Sequence, residues 1–133
     1  MGRPHILLID DDPFIRSLVT AMLRCEYRIS VAIDGMDDLC KAVEDPPDLV
    51  IVDLEMPQWD GLQTINELRT SEKLKLIPVM VLTANSSRQT VVNAIKKGAD
   101  DYFIKTSLSR PELLKKVRRL MDLERQESIR QAC

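Results

Sequence analysis

Leu49-Val50-Ile51-Val52-Asp53-Leu54-Glu55-Met56-Pro57 is the stretch on which the fold turns. Four aliphatic residues run straight into a carboxylate, and a Met-Pro turn follows. A short, wholly apolar run bounded by turn signals predicts a strand buried on both faces, as in a parallel sheet. Asp53 then stands at the strand's carboxyl end, the edge at which open α/β sheets bind ligands.

Upstream, Ile6-Leu7-Leu8-Ile9 is a second apolar run and ends in Asp10-Asp11-Asp12-Pro13. Asp12 suits a helix N-cap and Pro13 the first helical turn. Phe14, Ile15, Leu18, Val19, Met22 and Leu23 then recur at helical spacing. Residues 27–33 alternate as a strand with one polar face. Asp34-Gly35 turns the chain into a helix near 36–43, which Asp45-Pro46-Pro47 ends.

Downstream, Gln58-Trp59-Asp60-Gly61 reads as a loop, and Leu62, Ile65 and Leu68 mark a third helix. Residues 77–82 form a fourth strand that ends at Thr83-Ala84. Val91, Val92 and Ile95 carry a fourth helix, with Gly98 as its stop. Tyr102-Phe103-Ile104 is a short fifth strand ending at Lys105. Leu113, Leu114, Val117, Leu120, Met121 and Leu123 lie along one side of a last helix. Five successive βα units predict an α/β domain, a parallel sheet with helices on both faces.

At 133 residues the chain is one ordinary domain, 44% hydrophobic and 30% charged, which excludes a disordered chain. A net charge of −2 gives no general reason to expect nucleic acid or an anionic membrane as partner. From Arg110 onward seven Arg or Lys face four Asp or Glu, so the tail carries +3 and the rest −5. No apolar run has membrane-spanning length, and no signal peptide precedes the first strand. Cys25, Cys40 and Cys133 form no CxxC pair, which fits reduced thiols in a cytoplasm, two of them small core residues. His5, the single histidine, is read as structural or solvated.

The strand ends carry the chemistry: Asp10 and Asp11, Asp53, Thr83 and Lys105 converge on one crevice of a doubly wound sheet. Two like charges roughly 4 Å apart cost about 4 kcal/mol at an effective dielectric of about 20. Either a proton is taken up or a cation neutralises the cluster. An all-oxygen donor set favours Mg²⁺, with Mn²⁺ as the alternative, over zinc. A carboxylate ringed by a metal, a hydroxyl and an ammonium meets the needs of phosphoryl transfer, in which the carboxylate attacks.

Ile-Asp-Asp-Asp-Pro (9–13), Val-Asp-Leu-Glu-Met-Pro (52–57), Leu-Thr-Ala (82–84) and Lys-Lys-Gly-Ala-Asp-Asp-Tyr-Phe-Ile-Lys (96–105) occur in this order. With them the chain resembles the receiver domain of bacterial two-component response regulators. The resemblance implies a flavodoxin-like three-layer sandwich with strand order 2-1-3-4-5 and five helices. It implies that Asp53 is the phosphoacceptor and that Asp10, Asp11, Asp53 and the backbone carbonyl of Glu55 hold Mg²⁺. Thr83, helped by the Ala84 N–H, and Lys105 would bind the phosphoryl oxygens, and Thr83 and Tyr102 would form the switch. Its implied partners are a histidine kinase or phosphotransfer protein, and an output domain or downstream protein. Homodimerisation through the face of the fourth helix, fifth strand and fifth helix also fits. Arg88, Val92, Lys96, Tyr102 and Lys115 are candidates for that face. Direct nucleic-acid binding and membrane contact are not implied, nor is turnover of external substrates.

Receivers usually carry proline after the lysine, joined through a cis bond; here the pair is Lys105-Thr106. Without proline a cis bond costs about 2.5–4 kcal/mol, so the site either holds that strain or uses a trans bond. Glu55 and Asn85 fall at positions that in the family flank the path of the hydrolytic water. The charged pattern after Met121 divides the chain into a receiver, 4–121, and a helical extension, 122–133, read as the start of a linker to an absent output domain. Two other functions are weighed. One is a receiver-fold docking or dimerisation module that does not signal by phosphate, which Thr106 favours. The other is an aspartyl-nucleophile phosphatase of the haloacid-dehalogenase type, which Pro57 fails, standing where Thr or Val is needed.

Overall fold

The computed structural model describes residues 2–33, 35–56, 59–85 and 87–132, with side chains for all of these except 35–39, 59 and 123–132. The turn residues Asp34 and Pro57, the thiol of Cys133 and the side chains of Trp59 and Leu123 lie outside the described residues.

Strands β1 (His5–Ile9), β2 (Arg28–Ala32), β3 (Leu49–Asp53), β4 (Val79–Thr83) and β5 (Asp101–Ile104) make one sheet. Its order is β2-β1-β3-β4-β5 and every pairing is parallel. Helices α1 (Pro13–Leu23), α2 (Gly35–Glu44), α3 (Gly61–Thr70), α4 (Arg88–Lys97) and α5 (Arg110–Ala132) connect and follow the strands. Among the described residues, no helix is long and apolar enough to cross a membrane.

The unbroken apolar runs follow from this layering. Successive strand residues point to opposite faces, so a strand covered on both faces needs apolar residues at every position. Ile6, Leu8, Ile51, Met80, Leu82 and Phe103 pack with Val19, Leu23, Leu113 and Val117 of α1 and α5. Leu7, Ile9, Val50, Val52, Val79 and Val81 pack on the other side, with Ala42, Ile65, Leu68 and Ala94 of α2, α3 and α4. β1, β3 and β4 are buried along their whole length.

The punctuation behaves as its chemistry predicts. Asp12 caps α1 by accepting the Phe14 N–H, and Pro13 opens the helix. Gly98 ends α4 at φ 119°, a left-handed position that a side chain would strain. β4 begins at Val79, after Pro78, whose carbonyl still accepts the Val50 N–H at 3.0 Å. Between β3 and α3, Glu55–Met56 pairs antiparallel with Trp59–Asp60, and Asp60 caps α3.

Three expectations are corrected. Cys25 and Cys40 are exposed rather than in the core. Cys25 lies in the turn just past the C-cap of α1, and among the described side chains of α2 the buried one is Ala42. Phe14 is 70% exposed although it shares the α1 periodicity. On α4 the buried side chain is Ala94, while Ile95 faces outward. His5, by contrast, is structural: it is buried, and its Nε2 lies 2.7 Å from Ser30 Oγ.

Candidate functional site

Parallel strands that start in register end in register, so β1, β3, β4 and β5 deliver their last residues to one edge. Asp10 follows β1 and is fully buried, its N–H held by the Ala32 carbonyl at 3.0 Å. Its Oδ1 accepts the Asp12 N–H at 2.9 Å. Its Oδ2 is buried with no hydrogen-bond partner. Asp53, the last residue of β3, is also buried, and its Oδ1 accepts the Glu55 N–H at 3.0 Å. Asp11 is exposed beside them. One carboxylate oxygen from each of Asp10, Asp11 and Asp53 falls within 4.8 Å of the others.

Lys105 enters from the end of β5. Its Nζ lies 3.1 Å from Asp53 Oδ1 and 3.4 Å from Asp10 Oδ2. Among the described residues no peptide bond is cis, so Lys105–Thr106 is trans and opens a short 3₁₀ turn, Lys105–Ser107. The lysine reaches both carboxylates on this trans path, its long stem absorbing the change in backbone.

Burial is the main force on Asp53. It pushes the carboxyl up to about 6; the Glu55 N–H pulls the other way, the charge of Asp10 adds to burial, and Lys105 opposes both. For Lys105, burial works downward, but the hydrogen bond and charge of Asp53, with Asp10 behind them, hold it above its ordinary value. A buried Asp10 oxygen that accepts no hydrogen bond and has the Lys105 ammonium 3.4 Å away, beside two further carboxylates, is a donor set that a hard divalent cation suits. The residues fit Mg²⁺.

Residues 6–118 match the response regulator receiver domain. The chain belongs to this family. Over 130 residues the receiver is 40% identical to the DNA-binding dual master transcriptional regulator RpaA of Synechocystis sp., a match covering 97% of this chain and 53% of that protein. The chain spans at most about half the length of the curated relatives it matches, from 53% down to 8%. Among solved structures it is similar to the receiver domain of the sensor histidine kinase PA1611 of Pseudomonas aeruginosa. That match has a TM-score of 0.83 and 30% identity, covering 91% of this chain and 99% of the other. The Pseudomonas structure carries a magnesium ion coordinated in its active site cleft. The chemotaxis response regulator CheY4 of Vibrio cholerae matches with a TM-score of 0.82 and 28% identity, over 90% of this chain and 99% of that one.

The remaining candidate residues are arranged in two further groups. Thr83 is buried at the end of β4, and its hydroxyl donates to the Glu55 carboxylate and accepts the Asn85 N–H at 3.0 Å. The Ala84 N–H donates to the other Glu55 oxygen at 3.4 Å. Tyr102 is partly exposed, 36%, on β5. The Lys116 ammonium sits 4.7 Å from its ring centroid, donates to the Tyr102 carbonyl at 2.6 Å and pairs with Asp101 at 3.2 Å.

Four contributors escaped the sequence reading. The sequence sets the Glu55 carboxylate beside the path of the hydrolytic water, but not its contacts to Thr83 and Ala84. The contact follows from the β3–β4 register, Asp53 beside Leu82, which sets Glu55 near Thr83 at the end of β4 and is not written in the sequence. Arg16, one turn into α1, donates to the Asp10 carbonyl at 3.0 Å. Lys116 contacts Tyr102. Gly61 lies against the β3 end: a Cβ there would sit 2.5 Å from the Asp53 carbonyl oxygen and 2.7 Å from Leu54 Cα. A side chain at 61 would therefore push α3 off the strand that carries Asp53.

Proposed function

We propose that this receiver is a phosphorylation-driven switch in which Asp53 accepts a phosphoryl group from a histidine kinase, a phosphotransfer protein or a small phosphodonor. The observation that carries the reading is Asp53 itself. It is a buried carboxylate at the strand end, 3.1 Å from the Lys105 ammonium and beside two further carboxylates. Asp10, Asp11, Asp53 and the Glu55 backbone carbonyl would hold Mg²⁺, which when bound neutralises the carboxylates and draws charge from the phosphoryl oxygens. The Asp53 carboxylate is the nucleophile, held in place by the Glu55 N–H. The Thr83 hydroxyl, the Ala84 N–H and Lys105 donate to the phosphoryl oxygens, where charge is greatest. Water later cleaves the acyl phosphate, and no external substrate is turned over.

The phosphoryl group, carrying roughly −1.5 to −2 where the carboxylate carried −1, gives Thr83 and Lys105 contacts they lack beforehand. Those differential contacts bias a two-state equilibrium that is read through Tyr102 on the face of α4, β5 and α5. That face serves an output domain, a downstream protein or a second copy. In this reading 4–121 is the receiver, and the helical residues after it begin a linker, in a protein that works in the cytoplasm.

The test is intact mass after incubation with Mg²⁺ and acetyl phosphate. One added phosphoryl group is expected, absent in Asp53→Ala and absent with EDTA. No gain, together with no binding of beryllofluoride, a phosphoryl mimic that does not hydrolyse, would replace the switch with a docking module.

A further inference from the structure

The Glu55 carboxylate bridges the Thr83 hydroxyl and the Ala84 N–H, one oxygen to each. These are two of the donors that the proposed function assigns to the phosphoryl oxygens. An anion with two oxygens therefore already engages the groups that a second anion on Asp53 would need. We infer that the Glu55 side chain is an intramolecular competitor for the phosphoryl-binding donors, a positioning residue that holds Thr83 and Ala84 until the anion on Asp53 displaces it. This rests on the phosphoacceptor reading and adds to it the identity of the group that must leave.

The backbone fixes Glu55 in this place. The Leu54 N–H donates to the Leu82 carbonyl at 3.0 Å, continuing the β3–β4 ladder one residue past Asp53. The next residue on each side of that bond brings Glu55 against Thr83. The Glu55 N–H bonds Asp53, so one residue touches the acceptor through its backbone and the donors through its side chain.

Burial makes the contact exchangeable in one direction. Thr83 is fully buried, and besides Glu55 its hydroxyl has the Asn85 carbonyl as a longer, neutral acceptor at 3.3 Å, weaker than an anionic oxygen. Glu55 is exposed, so its carboxylate can return to water at little desolvation cost. Thr83 thus trades one anionic oxygen for another, and Glu55 is the partner that leaves. The covalent step itself does not use Glu55. With acetyl phosphate, an Asp53 oxygen bonds to phosphorus as the bond from phosphorus to the acetate oxygen breaks, and acetate departs with the electron pair.

The test compares the full chain with Glu55→Ala, Glu55→Gln, Thr83→Ala and the Thr83→Ala/Glu55→Ala double variant. The readouts are the beryllofluoride dissociation constant and the rate of phosphorylation by acetyl phosphate, both at saturating Mg²⁺. Glu55→Ala is expected to tighten beryllofluoride binding and to speed phosphorylation by about five- to tenfold. Glu55→Gln should gain less, because its amide oxygen still accepts from Thr83. On the Thr83→Ala background, removing Glu55 should be worth only about twofold or less, since of the two competing contacts only the longer one, to the Ala84 N–H at 3.4 Å, is left. Glu67→Gln, a charge change on the exposed side of α3, should alter neither readout. Equal gains on both backgrounds would mean that Glu55 acts by charge alone and would overturn the inference. Unchanged binding and rate in Glu55→Ala, with Asp53 still phosphorylated, would overturn it and leave the phosphoacceptor reading standing. Failure of wild type and Glu55→Ala alike to take up either group would remove both.

Discussion

The Lys105 ammonium bridges the carboxylates of Asp53 and Asp10, at 3.1 and 3.4 Å, so one cation serves two buried anions. That leaves the cluster short of positive charge, and the deficit makes folding and ligand binding at this edge dependent on pH and on divalent cations.

Asp53 shows the pH dependence. Burial first of all raises its carboxyl from 3.8 to about 6 in the folded chain. Between those values the folded state keeps a proton that the unfolded state has lost. Stability therefore falls as pH rises through that window, and the full cost is present above it. Asp53→Asn removes the cost. In EDTA at pH 7.5 the variant is expected to be more stable than wild type by about 2 kcal/mol, with the gap closing as pH approaches 4. Thermal melts across that range decide it; a gap that ignores pH would show that Asp53 is not held with a raised pKa.

Divalent cations should act on the same cluster. At a Mg²⁺ concentration ten times the dissociation constant, binding to the folded state alone adds about 1.4 kcal/mol, a few degrees of melting temperature. Asp11→Asn is expected to abolish this gain. Asp12→Asn should keep it, because Asp12 spends its side chain on the α1 cap and asparagine caps equally well. The pair of variants changes charge equally at adjacent positions, so losing the Mg²⁺ response in both would place the ion elsewhere.

β2 and β5 are only partly buried, but the three central strands, and with them the convergence of Asp10, Asp53 and Thr83, were legible because strands buried on both faces are written as unbroken apolar runs. Each of these runs ends in its polar residue. What stayed hidden depends on tertiary register. Glu55 meets Thr83 only because β3 and β4 pair as they do, and Gly61 matters only because α3 presses on the Asp53–Leu54 peptide. The exposure of Cys25 and Cys40 was misread because residue type fixes how well a thiol tolerates burial, not which side of a helix or turn it occupies.

Arg69 illustrates the same limit and gives a stability prediction. Its Nε and Nη2 donate to the Gly98 carbonyl at 3.0 and 2.7 Å, and Nη1 donates to the carbonyls of Lys75 and Ile77 at 2.9 and 2.7 Å. Nη2 also pairs with Asp100 at 2.8 Å. The planar fork thus ties the end of α3 to the approach to β4 and to the cap of α4. Arg69→Ala is expected to cost about 2–3 kcal/mol, and Arg69→Lys to recover less than half of it, since a single ammonium cannot reach three carbonyls in different directions. Urea unfolding measures both. A lysine variant as stable as wild type would reduce the contact to simple charge pairing with Asp100.

Lys105→Met separates charge from packing at the site. Methionine keeps much of the apolar stem but leaves Asp10 and Asp53 without their shared cation. Removing one partner of a buried ion pair costs about 3 kcal/mol, and that loss is expected in EDTA, where nothing else neutralises the two carboxylates. Mg²⁺ should then bind more tightly than in wild type, because the ammonium no longer competes for the same oxygens. The stability gap should narrow as Mg²⁺ is added, while phosphorylation from acetyl phosphate stays slower than in wild type, since a donor to the phosphoryl group is missing. Melting temperatures with EDTA and with saturating Mg²⁺ test the first part, and intact mass against time tests the second. If the gap held constant in Mg²⁺, Lys105 would stabilise the fold through its packed stem, and the ammonium would not be the charge that balances Asp10 and Asp53.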